Sequence, residues 1–145
     1  MGENQTGRSR TITLPAMVES ITKVTDFLDC ELEALECPIK ALTQINIAAD
    51  EIVTNVASYA YGPEGGDVTV SFSYDAENKT AEICFIDAGI PFDPLAKADP
   101  DVSLSAEERQ IGGLGIFLVK KTMDEMTYRR ENGKNILCIR KRIGG

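Results

Sequence analysis

From Met17 to Leu35 the apolar residues Met17, Ile21, Val24, Leu28, Leu32 and Leu35 recur every three or four positions. That is the period of a helix with one buried face. Pro15 precedes the run, and a proline suits the first helical position, where its missing N–H costs nothing. The pattern predicts a helix from Pro15 to about Ala34. A second stripe follows Pro38, made of Leu42, Ile45, Ala49, Ile52, Val53, Val56 and Ala60. It predicts a helix to about Ala60, broken by Tyr61-Gly62-Pro63-Glu64-Gly65-Gly66.

The period then drops to two. Val68, Val70, Phe72 and Tyr74 alternate with Thr69, Ser71 and Ser73, a strand with one face buried. A polar turn leads to a strand over 80–87. Residues 93–111 have weak periodicity, and a loop of that length is usually functional or disordered. A helix is predicted over 113–125, then strands near 126–131 and 135–142 around Asn132-Gly133, a strong hairpin signal. Residues 11–14 can pair as a short strand, and the polar residues 1–10 read as a loose tail.

Composition narrows the class. A chain of 145 residues is one domain by length, with 43% apolar and 26% charged residues, as in ordinary globular proteins. The net charge of −8 argues against direct nucleic-acid binding, which needs basic surface. Basic residues nevertheless crowd the C-terminal quarter, from Lys120 to Arg142, which reads as a solvated basic hairpin or an interaction surface. There is no histidine and no C-x-x-C pair, which argues against zinc sites and histidine-based catalysis. Cys84 and Cys138 fall in strand-like runs and read as small core residues. With no long apolar run and no visible signal peptide, the expectation is a cytoplasmic protein without a membrane segment.

Three blocks carry the chemistry. Glu51 and Asn55 are four apart in the second helix and so project from adjacent turns, away from the apolar stripe. A carboxylate there can take a proton, and an amide oxygen is a hard ligand suited to Mg²⁺. Asp87 ends an apolar strand and is followed by Gly89. An ionised Asp only accepts hydrogen bonds, so the exocyclic amine of a base is a candidate partner. Gly112-Gly113-Leu114-Gly115 precedes Ile116-Phe117-Leu118-Val119, and free N–H groups at a helix start favour anions. Taken singly, each block also fits a plain role: solvent-facing polar residues, a turn, a hinge.

In this order the blocks resemble the N, G1 and G2 boxes of the GHKL ATPase superfamily on the Bergerat fold. More narrowly, D-E-I-V-T-N, D-A-G-I-P-F-D-P and G-G-L-G-I-F-L-V are similar to the anti-sigma-factor serine kinases of bacterial partner switching. The resemblance spans about residues 12–142. It implies an α+β fold: a two-layer sandwich with a mixed, mostly antiparallel sheet and helices on one face. It implies ATP and Mg²⁺ as ligands and serine-protein kinase activity. Glu51 would be the general base and Asn55 the metal ligand. Asp87 would accept from the adenine amine, and Gly89 would let the base approach. Gly112, Gly113 and Gly115, with Leu114 and Ile116, would form the phosphate-binding edge of a lid over 93–111, where Arg109 is the one arginine. The implied partners are a sigma factor and a STAS-domain antagonist that receives phosphate on serine, and a homodimer is allowed.

One position departs from the family pattern. Many relatives carry a histidine eight residues after the glutamate, where this chain has Tyr59. An aromatic ring there can pack near the nucleotide. It offers no second base near neutral pH, since tyrosine titrates around 10. A nucleotide-responsive partner-binding module without phosphotransfer is therefore the alternative. A fragment of a sensor histidine kinase ranks below both, because the chain has no histidine and no upstream dimerisation helices.

Overall fold

The computed structural model describes residues 9–96 and 113–144. Strand β1 (Ser9–Pro15) leads through a 3₁₀ turn (Val18–Ser20) into helix α1 (Ile21–Ala34). Helix α2 (Ile39–Tyr59), strand β2 (Asp67–Asp75) and strand β3 (Thr80–Asp87) follow. Beyond a 3₁₀ turn at Pro94–Ala96 come helix α3 (Gly113–Thr122), strand β4 (Glu125–Glu131) and strand β5 (Lys134–Arg142). The sheet order is β1-β2-β3-β5-β4. Every described pairing is antiparallel.

One face of the sheet carries the helices. Val68, Val70 and Phe72 of β2, Ala81, Ile83 and Phe85 of β3, and Leu137 and Ile139 of β5 are all buried toward them. They meet Val24, Leu28 and Leu32 of α1 and Ile45, Ala49, Ile52 and Val53 of α2 in one core. Alternation in the strands and spacings of three and four in the helices thus bury the residues that the pattern marks. Each fully buried Phe or Leu contributes roughly 1.5–3 kcal/mol relative to exposure. Helix α2 lies centrally, with α1 and α3 on either side.

The sequence-based boundaries need four corrections. Pro15 closes β1 rather than opening a helix, and β1 begins at Ser9, inside the presumed tail. Met17 is extended and 44% exposed, so the first helix starts only at Ile21. The third helix stops at Thr122. Glu31 of α1, which nothing in its spacing sets apart, is 2% exposed and pairs with Arg10 of β1 at 3.4 Å. The Asn132-Gly133 hairpin is as expected, with φ of 54° and 76°, the left-handed values that a tight two-residue turn requires.

The C-terminal cations are partly spent within the fold. Lys141 Nζ donates to the Thr122 carbonyl at the end of α3, where a positive charge suits the helix dipole. Arg140 lies between Glu125 and Glu82 on neighbouring strands.

Cys84 and Cys138 are not separate core thiols. They stand opposite each other in the β3–β5 register, on the sheet face away from the helices, and form a disulfide. Such bridges are rare in reducing compartments, so the cysteines lend no weight to a cytoplasmic location. Cys30 is exposed and Cys37 half-buried, both as free thiols, and burial pushes the Cys37 thiol pKa up. Alkylation of the unfolded, unreduced chain is expected to label Cys30 and Cys37 only, with all four labelled after reduction. In the folded protein Cys30 should react faster than Cys37, since the thiolate is the nucleophile. Mass spectrometry reads both results, and four labelled cysteines without reduction would contradict the bridge.

Candidate functional site

The helix layer and the end of the sheet enclose a cavity of about 420 Å³, open mouth included. Its walls are mainly apolar: Ile52 and Val56 of α2, Ala60 just after it, Phe85 of β3, Phe92 and Pro94 of the following loop, Leu137 of β5. Its polar lining is Asn55, Asp87, Tyr128 and Asn135. An apolar cleft with a few converging polar groups suits a small organic ligand.

Two of the three sequence blocks meet at this cavity, and the third joins it through α2. Asn55 and Asp87 line the same space. Glu51 sits one turn back from Asn55, about 6 Å along the helix axis. Its carboxylate runs across the face of Gly115, so closely that a Cβ at Gly115 would collide with Glu51 Oε1. The absent side chain is what lets α3 and α2 come together at the glutamate. Both Glu51 and Asn55 are half-buried. Gly113 opens α3, Leu114 stands in its first turn, and Ile116 is buried. Gly112, Arg109 and most of the proposed lid lie outside the described residues.

Gly89 has a structural duty that its spacing does not reveal. A Cβ there would strike the Ala60 carbonyl at the end of α2. The approach allows Ile90 N–H to donate to that carbonyl at 2.9 Å, which occupies an oxygen that the helix end leaves without an intrahelical donor. Tyr59 is 39% exposed, and its ring stacks on Phe92 with centroids 5.9 Å apart.

Four residues missed by the sequence reading hold this corner. Tyr61 donates to the Asp67 carbonyl at 2.6 Å and accepts from Ala88 N–H at 2.8 Å, tying β2 to the end of β3. Arg130 donates to the Gly89 carbonyl at 2.8 Å. Asn135, 5% exposed, faces Asp87 directly across the β3–β5 ladder and donates to its Oδ1 at 2.9 Å. Tyr128 in turn donates to Asn135 Oδ1 at 2.5 Å. A polar residue in an otherwise apolar strand position, as Asn135 is in N-I-L-C-I, is the one signal that was available.

The architecture defines a class, the α+β two-layer sandwich of GHKL type. The model of the histidine kinase-like ATPase domain matches residues 14–141, and the chain belongs to that family. It is 31% identical over 106 residues to serine-protein kinase RsbW of Listeria monocytogenes, covering 70% of this chain and 66% of that one. It is 26% identical over 95 residues to serine/threonine-protein kinase BtrW of Bordetella bronchiseptica, covering 66% of each. The matches thus span just under two thirds of the relatives' length. Among solved structures, it resembles the RsbU and RsbW domains of Rv1364c from Mycobacterium tuberculosis. There the TM-score is 0.67 at 16% identity, over 94% of this chain and 32% of that one. That likeness establishes the fold.

The two glycines are expected to respond differently to alanine. Gly89→Ala drives a methyl into the Ala60 backbone, which cannot swing away, and should cost about 1–3 kcal/mol. Gly115→Ala meets only the Glu51 side chain, which can rotate, and should cost less. Urea unfolding of both variants measures this, and equal stability of Gly89→Ala and the parent would refute the packing account.

Proposed function

We propose that the chain is an ATP- and Mg²⁺-dependent protein serine kinase of a partner switch. It phosphorylates a serine of a STAS-domain antagonist and otherwise holds a sigma factor. The observation that carries this reading is the setting of Glu51: a half-buried carboxylate against Gly115, one turn from an amide at a cavity that Asp87 lines. A pure binding surface gives no reason to hold a carboxylate there.

The donor set fits the ligands. Asn55 offers a hard oxygen of the type Mg²⁺ accepts alongside waters and phosphates, and the bound metal would neutralise phosphate charge. Asp87 would accept from the adenine amine while the apolar walls hold the ring, and Gly89 would let the base approach. Gly112, Gly113 and Gly115, with Leu114 and Ile116, would supply backbone N–H groups to phosphate. Glu51 takes the proton of the attacking serine hydroxyl as the new O–P bond forms and the γ-phosphoryl leaves ADP. The kinase names of the relatives support the same reaction. The functional unit on this reading is residues 11–145 with the start of β1 at Ser9 added, cytoplasmic, able to pair as a homodimer.

A second reading is a nucleotide-responsive binding module without transfer. It is favoured by Tyr59, whose ring stacks on Phe92 where many relatives carry a titratable histidine.

Mg-ATP at a hundred times its Kd should stabilise the fold by about 2.7 kcal/mol, seen as a Tm rise of several degrees. Asn55→Ala should remove most of that rise. Glu51→Ala should keep it, while phosphate transfer to a STAS partner falls about 100-fold or more. No Tm shift in the parent would sink the nucleotide reading. Undiminished transfer by Glu51→Ala would remove Glu51 from the chemistry and leave the binding module.

A further inference from the structure

We infer that Asn135 and Tyr128 are positioning residues that set the base preference of the cavity by fixing which oxygen of Asp87 faces it. This rests on the nucleotide reading above and goes beyond it, since neither residue belongs to the three sequence blocks.

The argument starts from the hydrogen-bond capacity of an amide. Asn135 has two N–H donors and an oxygen with two lone pairs. Nδ2 donates to Asp87 Oδ1 at 2.9 Å and to the Ile90 carbonyl at 2.8 Å. Oδ1 accepts from Tyr128 Oη at 2.5 Å and from Phe92 N–H at 3.3 Å. All four positions are used. The amide has one orientation, because turning it over would set its oxygen against a carboxylate and a carbonyl and its N–H₂ against the Phe92 N–H. Tyr128, whose hydroxyl could serve either orientation, reinforces this one by donating to Oδ1.

A saturated Asn135 has nothing left with which to read a ligand. Its effect passes through Asp87. Asp87 Oδ1 already accepts from Gly89 N–H at 2.9 Å, so the Asn135 bond engages that oxygen a second time. No described residue donates to Asp87 Oδ2. Asp87 is 6% exposed and lines the cavity. The site therefore presents one oriented acceptor in an apolar enclosure. A base edge that donates an N–H there gains a charge-assisted hydrogen bond. A base edge that offers a carbonyl meets lone pairs there and gains no such bond. The same amide holds Ile90 and Phe92, so the acceptor and the aromatic wall beside it are set by one side chain.

The test compares Mg-ATP with Mg-ITP, which carries a carbonyl in place of the exocyclic amine. Kd for each is measured by calorimetry on the parent, Asn135→Leu and Tyr128→Phe. The parent should favour ATP at least about tenfold, the scale of one hydrogen bond to a charged group. Asn135→Leu should narrow that preference to within about threefold, mainly by weakening ATP. Tyr128→Phe removes only a hydroxyl and should fall between the two. A folded Asn135→Leu that keeps the parental ATP/ITP ratio overturns the inference. If Asn135→Leu does not fold, an unchanged ratio in Tyr128→Phe overturns it instead. A general loss of stability would weaken both nucleotides alike and leave the ratio untouched, which also overturns it. A parent that binds neither nucleotide defeats the nucleotide reading itself. A parent that binds ATP and ITP equally defeats only the role given to Asp87 and Asn135.

Discussion

The contact on which the site depends is backbone against backbone. The end of α2 and the residues after β3 approach until Ile90 N–H reaches the Ala60 carbonyl, which is feasible only because Gly89 carries no side chain. This fixes where the central helix stops over the sheet. From that point its other positions are set by helical rise: Val56 and Ile52 fall on the cavity wall, Asn55 at its polar lining and Glu51 a turn beyond. Helix α3 then closes the far side where Gly115 admits Glu51. Two glycines at opposite ends of one helix face hold the three blocks in one place.

Energetically, the site is a polar enclave inserted into a well-formed core. Phe85 belongs to the core and to the cavity wall at once, so the hydrophobic burial that holds helices to sheet also shapes the space beside Asp87. In such surroundings an unpaired polar group costs roughly 1–3 kcal/mol. The corner answers with a dense set of short bonds among Asp87, Asn135, Tyr128, Gly89 and Phe92. The carboxylate is held there through Oδ1, which accepts from both Gly89 N–H and Asn135.

Much of this was legible along the chain because it is local. Helical stripes, strand alternation and the Asn132-Gly133 turn each depend on near neighbours, and the structure follows them. The sequence blocks were legible for the same reason, since each spans a few residues. The misses are long-range. Asn135 reaches Asp87 across 48 positions and Cys84 reaches Cys138 across 54, separations over which no periodicity speaks. Gly89 also packs against Ala60, a duty that its spacing does not show because it depends on where a distant helix ends. Pro15 was read as a helix start because that is its local preference; pairing of β1 along β2 to Asp67 overrode it.

The bridge between Cys84 and Cys138 changes the connectivity of the molecule. It ties β3 to β5 three residues from Asp87 on one strand and three from Asn135 on the other. Everything between the two cysteines, including α3 with Gly115, is thereby part of a covalently closed ring. A protease that cuts within this ring opens it without dividing the molecule. The strands bearing Asp87 and Asn135 stay joined through sulfur, and that wall of the cavity outlasts a break in the chain that leads to Gly115.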